Sequence, residues 1–122
     1  APLRRRELVV RRGEVWWADL GEPRGSGPGF HRPIVIVSAN CYNSSSIDTV
    51  VCAIVTSNLR LANAPGNIRL PMRGTGLRQP AVVVVSQLVT LDKSVLFEYC
   101  GRVPDTAIPA LDRGLQSVLG LD

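Results

Sequence analysis

Apolar positions along the chain fall into short continuous runs punctuated by Gly, Pro and small polar residues, and only the C-terminal end changes to a helical period. Glu14 to Leu20 carries aromatic and β-branched residues and ends at turn-formers, which predicts a first strand. Gly21 to Gly29 has Gly, Pro or Ser at nearly every position, so neither helix nor strand can run through it. A loop of that length more often carries function than mere connection. Ile34 to Ser38 predicts a second strand, Ala39 to Ser46 a polar stretch with one irregular turn, and Asp48 to Thr56 a third strand. The unbroken run from Val50 to Val55 predicts that this third strand is covered on both faces. Asn67 to Leu70, after the Pro65-Gly66 turn, and Ala81 to Val89 are the next strands. A single helical turn over Asp92 to Leu96, capped by Asp92, leads into a last strand from Phe97 to Val103.

Ile108, Leu111, Leu115, Val118 and Leu119 then recur at the spacing of one helix face. Asp105 or Thr106 is the expected cap, Pro109 fits the first turn, where a missing N–H removes no intrahelical bond, and Gly120 is the expected stop. Gly114 costs about 1 kcal/mol in a helix interior, so close packing of the helix on the sheet is expected there. Several strands with one terminal helix and no long helices between them predict a mainly antiparallel, strongly curved sheet or small barrel, with the helix over one open side.

Composition narrows the function classes. The 122 residues suit one domain, and 45% hydrophobic with 20% charged residues describes a folded chain, not a disordered one. No apolar run is long enough to span a membrane and no signal-peptide pattern opens the chain, so a cytoplasmic protein without a membrane partner is expected. Cys41, Cys52 and Cys100 are odd in number and widely spaced, and there is one histidine, so neither a disulfide framework nor a metal site is expected, and no cofactor is implied. A net charge of +4 favours an acidic partner such as nucleic acid or an acidic protein. Much of that excess lies in Arg4, Arg5, Arg6, Arg11 and Arg12, so residues 1–11 are read as a basic arm or extension ahead of a domain over residues 12–122.

Candidate chemistry gathers at predicted strand ends. Phe30-His31-Arg32-Pro33 joins the glycine-rich loop to the second strand, and Pro33 pushes Arg32 toward extended geometry, which sets a permanent cation at a strand mouth. Thr56-Ser57-Asn58 ends the third strand, and Ser86-Gln87 interrupts an apolar one. Each has an ordinary use as well, in turn capping for the first and in satisfying buried backbone groups for the second.

Taken in order, Gly13-Glu14-Val15-Trp16-Trp17-Ala18-Asp19-Leu20, Gly25-Ser26, Arg32-Pro33, Val55-Thr56-Ser57-Asn58 and Ser86-Gln87-Leu88-Val89-Thr90-Leu91-Asp92-Lys93 resemble the MazF/PemK toxin family, from Arg12 to the C-terminus. The resemblance implies a small SH3-like barrel with added helices. It further implies a homodimeric, metal-independent endoribonuclease that cuts single-stranded RNA at a short sequence, and a cognate MazE-like antitoxin whose acidic tail occupies the RNA groove. The implied reaction is attack of the 2′-OH on the neighbouring phosphodiester, giving a 2′,3′-cyclic phosphate and a 5′-OH. By this resemblance Arg32 holds the charge that develops on phosphorus and Thr56 donates a hydroxyl to the same phosphate.

His31 is a further candidate for proton transfer. RNA binding is assigned to Arg24, Ser26, Phe30, Ser57, Asn58, Arg60, Arg78, Ser86 and Gln87, with Arg69 and Arg73 as additional candidate phosphate contacts. Trp16 and Trp17 are both expected in the core. The chain departs from the family pattern at Gly27-Pro28 and at Ser86, where many or some members carry an acidic residue, so a carboxylate base is not expected at those positions. That departure keeps a second function class open, a non-catalytic small-barrel module that binds nucleic acid, gyrase or an antitoxin peptide.

Overall fold

Backbone pairing between distant β-branched runs organises the chain. In the computed structural model, which describes residues 9–23, 25 and 30–122, six strands form one sheet. They are β1 (Glu14–Asp19), β2 (His31–Ile36), β3 (Thr49–Thr56), β4 (Ile68–Leu70), β5 (Ala81–Asp92) and β6 (Leu96–Arg102). Their order across the sheet is β4-β5-β3-β2-β1-β6, and every neighbouring pair is antiparallel. Two helices complete the fold, a short α1 (Asn40–Asn43) in the expected polar stretch and α2 (Ile108–Leu119) at the C-terminal end. The expected curved antiparallel sheet with a terminal helix is what the chain forms. No helix among the described residues is long and apolar enough to cross a membrane.

Strand ends differ from the sequence expectation where long-range ladders extend them. β2 begins at His31, ahead of its apolar run, because His31 and Arg32 pair with Asp19 and Ala18 of β1. β5 continues to Asp92 because Thr90, Leu91 and Asp92 pair with Val51, Val50 and Thr49 of β3. The turn after it, Lys93–Val95, is capped as expected, with the Asp92 side chain accepting from the Ser94 N–H at 2.9 Å.

The sheet bends within β5. Ala53 of β3 lies opposite Leu88, whereas the next residue, Ile54, lies opposite Val84, so Val85, Ser86 and Gln87 have no partner on β3. A bulge of this kind turns the strand and raises its local twist. The Val85 N–H is satisfied instead by the Asn67 side chain at 3.0 Å. Both faces of β3 are buried as its unbroken apolar run predicted. Ala53 and Val55 join one core cluster with Val15, Val35, Val83, Val85 and Leu111, while Val50, Cys52 and Ile54 join a second with Trp16, Ile34 and Ile36. Val10, within the stretch read as an arm, is buried in the second cluster, and residues 1–8 lie outside the described residues.

Helix α2 closes the first cluster with Leu111 and Leu115. Gly120 ends it in a left-handed conformation at φ 72°, as expected. At its start the expectation fails, since the residue before the first turn is Ala107 and neither Asp105 nor Thr106 caps it with a side chain. Pro109 in the first turn fixes the entry geometry in place of a cap.

Gly114 is a contact point, though with the turn before β4 and not with a strand. A Cβ at Gly114 would meet the Gly66 carbonyl oxygen at 2.2 Å. Exchange of Gly for Ala in a helix interior ordinarily stabilises by about 1 kcal/mol, but a backbone atom at that distance must move, and overpacking costs about 1–3 kcal/mol. Gly114→Ala is therefore expected to lower the thermal midpoint in a melting experiment, and a raised midpoint would show that the helix does not rest on Gly66.

Candidate active site

A groove of about 700 Å³ opens where β2 and β3 part. Along β2, the Leu20 N–H donates to the Phe30 carbonyl and the Gly13 N–H to the Ile36 carbonyl, so the even-numbered residues turn their backbone groups to β1. The odd-numbered residues therefore turn theirs to β3, as the Val37 N–H does by donating to the Val51 carbonyl. Pro33 sits in that odd set and has no N–H to give. The β2–β3 ladder runs from Ile36 opposite Cys52 to Ile34 opposite Ile54 and ends there. Arg32 and Thr56 each lie two residues beyond that last pair, and both line the groove.

Thr56 is already engaged on one side. Its hydroxyl oxygen accepts from the Asn58 N–H at 3.2 Å, which orients the group and leaves its proton free to donate. His31 also lines the groove, with Nε2 3.9 Å from a carboxylate oxygen of Asp19 and its ring 4.7 Å from that of Phe97. Asp19 is held in turn, since its other oxygen accepts from the Gly21 N–H at 2.9 Å.

The opposite wall comes from the loop between β4 and β5, which contributes Leu77, Arg78 and Gln79. That loop is fixed to the edge of β6, where the Arg102 N–H donates to the Gly74 carbonyl at 2.9 Å. Gly76, at φ 73°, lies so near Cys100 that a Cβ would meet the Cys100 carbonyl oxygen at 1.9 Å. The loop thus joins the β4 side of the curl to β6.

Among the sequence candidates, the groove brings together His31, Arg32, Thr56, Ser57 and Arg78. Asn58 stands just outside it, its side chain accepting from the Arg60 N–H at 3.2 Å to start the turn Leu59–Asn63, on which Arg60 is exposed. Ser86 and Gln87 occupy the β5 bulge and do not line the groove. Phe30 is 64% exposed at the loop end, with a φ of 60° that is strained for a side-chain-bearing residue and is held by its backbone bonds to Leu20 and Gly21. Arg24 and Ser26 lie outside the described residues, as do Gly27 and Pro28.

One expectation is corrected. Trp16 is buried in the second core cluster, but Trp17 lines the groove, because neighbouring residues of a strand point to opposite faces. The sequence reading also missed Glu98, Tyr99 and Cys100 of β6, which reach the groove because β6 pairs with β1. The sequence gives no local signal for that pairing, although a charged residue between two aromatics in a final strand is a hint.

Burial raises the Cys100 thiol above its usual range, the Glu98 charge adds to the rise, and a hydrogen bond from the Trp17 side chain opposes it. Cys52, buried in the core, is pushed up to about 12 by desolvation. Among the described residues no cluster of three or more His, Cys, Asp or Glu side chains is placed to hold a metal ion.

A sequence model of PemK-like, MazF-like toxins of type II toxin–antitoxin systems matches residues 11–119. The chain belongs to this toxin family. Relatives include the endoribonuclease MazF6 of Mycobacterium tuberculosis and the endoribonuclease MazF2 of Mycobacterium bovis. Each is 44% identical over 114 residues, covering 93% of this chain and all of the relative. A mycobacterial endoribonuclease solved in complex with its cognate antitoxin is 26% identical and superposes with a TM-score of 0.76, over 93% of this chain and 97% of that one. The curled six-stranded sheet with its C-terminal helix is thus the architecture of MazF-like toxins.

The Cys100 environment gives a check on the groove wall. A thiolate is the reactive form, and Glu98 disfavours it. In a Cys41→Ser background, which removes the exposed thiol, Glu98→Gln is expected to speed alkylation of Cys100 by iodoacetamide at pH 8. An unchanged or slower rate would place the carboxylate away from the sulfur.

Proposed function

We propose that this chain is a cytoplasmic, metal-independent endoribonuclease toxin that cleaves single-stranded RNA at a short sequence. The observation that carries the reading is the pair Arg32 and Thr56, each two residues past the last pair of the β2–β3 ladder and both lining one groove of about 700 Å³. The endoribonuclease names of relatives at 44% identity support it.

In the proposed reaction the 2′-oxygen forms a bond to phosphorus while the bond to the 5′-oxygen breaks. One proton leaves the 2′-OH and one arrives on the departing oxygen. Arg32 binds the phosphate through its planar, permanently charged fork and stabilises the additional charge on its oxygens. Thr56 adds a donated hydrogen bond, one lone pair of its oxygen accepting from the Asn58 N–H. Proton transfer is assigned to His31, which lines the same groove with Asp19 in reach of the protonated ring.

Arg78 and Ser57 extend the binding surface along the groove. An acidic, extended antitoxin segment would use the same cations, in keeping with the relative solved with its cognate antitoxin. A homodimer is the proposed working form, over a domain beginning near Arg12.

The test is cleavage of a mixed-sequence RNA in EDTA, with the new 5′ ends mapped. Arg32→Ala is expected to lower kcat by about a hundred-fold to a thousand-fold, the effect of losing a principal anion-stabilising donor. Thr56→Ala removes one hydrogen bond to a charged group, about 1.5–3 kcal/mol, and is expected to cost roughly ten-fold to a hundred-fold. Cleavage equal in all three proteins would reject the catalytic assignment, and RNA binding without cleavage would favour the non-catalytic module. Light scattering at tens of micromolar should give twice the 13.2 kDa of one chain, and a monomeric mass would remove the homodimer.

A further inference from the structure

The groove contains one group that binding the RNA backbone does not call for. Glu98 is the acidic residue of its lining, and among the described residues its carboxylate makes no hydrogen bond or ion pair. A carboxylate only accepts hydrogen bonds. Phosphate oxygens also only accept, so an acidic group in an RNA groove weakens backbone binding unless some part of the RNA donates to it.

Its position separates it from the cleavage chemistry. Trp17 pairs with Pro33 on one side and with Glu98 on the other, so the three residues form one row across β2, β1 and β6. Residues in one row share a face, which sets Glu98 beside Trp17. Two strand spacings, about 10 Å, lie between the backbone of β6 and that of β2, which carries Arg32. Glu98 therefore faces a part of the RNA away from the phosphate that Arg32 holds. The side chain beside it in that row is Trp17, a planar surface on which a base can stack, whereas Tyr99 turns to the other face and packs edge-on against Trp16 at 5.6 Å.

We infer that Glu98 is a specificity determinant of the proposed ribonuclease: its carboxylate accepts a hydrogen bond from the amino group of one RNA base seated in the groove beside Trp17. This rests on the endoribonuclease reading above. The chemistry selects bases with an exocyclic amino group over bases that present a carbonyl at the same edge, because a carbonyl facing a carboxylate sets acceptor against acceptor. A hydrogen bond to a 2′-OH would occur at any nucleotide and would bring no base preference.

The experiment uses the intact protein and a set of short RNA substrates in which each position in turn exchanges an amino group for a carbonyl, cytosine to uracil and adenine to inosine. Wild type is expected to discriminate against the carbonyl base at one position by about five-fold to a hundred-fold in kcat/KM. Glu98→Gln, whose amide both donates and accepts, is expected to collapse that discrimination at the same position while cleaving the carbonyl substrate at least as fast as wild type does. Glu98→Ala should lose the preference without that gain. Matching thermal midpoints would confirm that both variants fold.

A preference unchanged at every position, or an equal slowing of all substrates, overturns the inference while leaving the ribonuclease reading intact. Wild type that cuts none of the substrates, nor the mixed-sequence RNA, overturns both.

Discussion

A single sheet covered by core on both faces must bend to enclose either core, and in this protein the bend is concentrated in β5. Three residues, Val85, Ser86 and Gln87, are skipped by the ladder to β3, so the first half of the strand serves one side of the curl and the second half the other. β3, apolar throughout, passes between the two core clusters and contributes to both. Because this bend curls the sheet, the loop after β4 reaches β6, where Gly76 and Gly101 admit backbone contacts that any Cβ would block. The wall that carries Arg78 and Gln79 depends on that approach.

Within this frame the groove arises from an absent donor. Pro33 belongs to the residues of β2 whose backbone groups face β3, and having no N–H it marks where the ladder stops. The strands part there, and the side chains just past the last pair, Arg32 and Thr56, become accessible without leaving rigid elements. A site mounted on strand ends in this way keeps its geometry while the adjoining loop is free to vary. The Asn58 N–H on the Thr56 hydroxyl has the same effect at smaller scale, since it fixes which way the remaining proton is offered.

The electrostatics of the groove are mixed. Arg32 and Arg78 provide the attraction a polyanion needs, whereas Glu98 opposes it and raises the neighbouring Cys100 thiol. A purely basic groove would bind RNA with little regard to sequence. One carboxylate beside Trp17 adds a term that depends on the base presented.

By itself the sequence determined the strands, the C-terminal helix and its glycine stop, the burial of β3 on both faces, and the placement of Arg32 and Thr56 at strand ends. All of these follow from local periodicity, from the fixed φ and missing N–H of proline, and from polar residues that close an apolar run. Only the tertiary structure decided which strands are neighbours. The pairing of β1 with β6 brought Trp17, Glu98 and Cys100 together, and the β5 bulge left Ser86 and Gln87 outside the groove lining. Cross-strand register is set by how both cores close at once, and no run of residues contains that information alone.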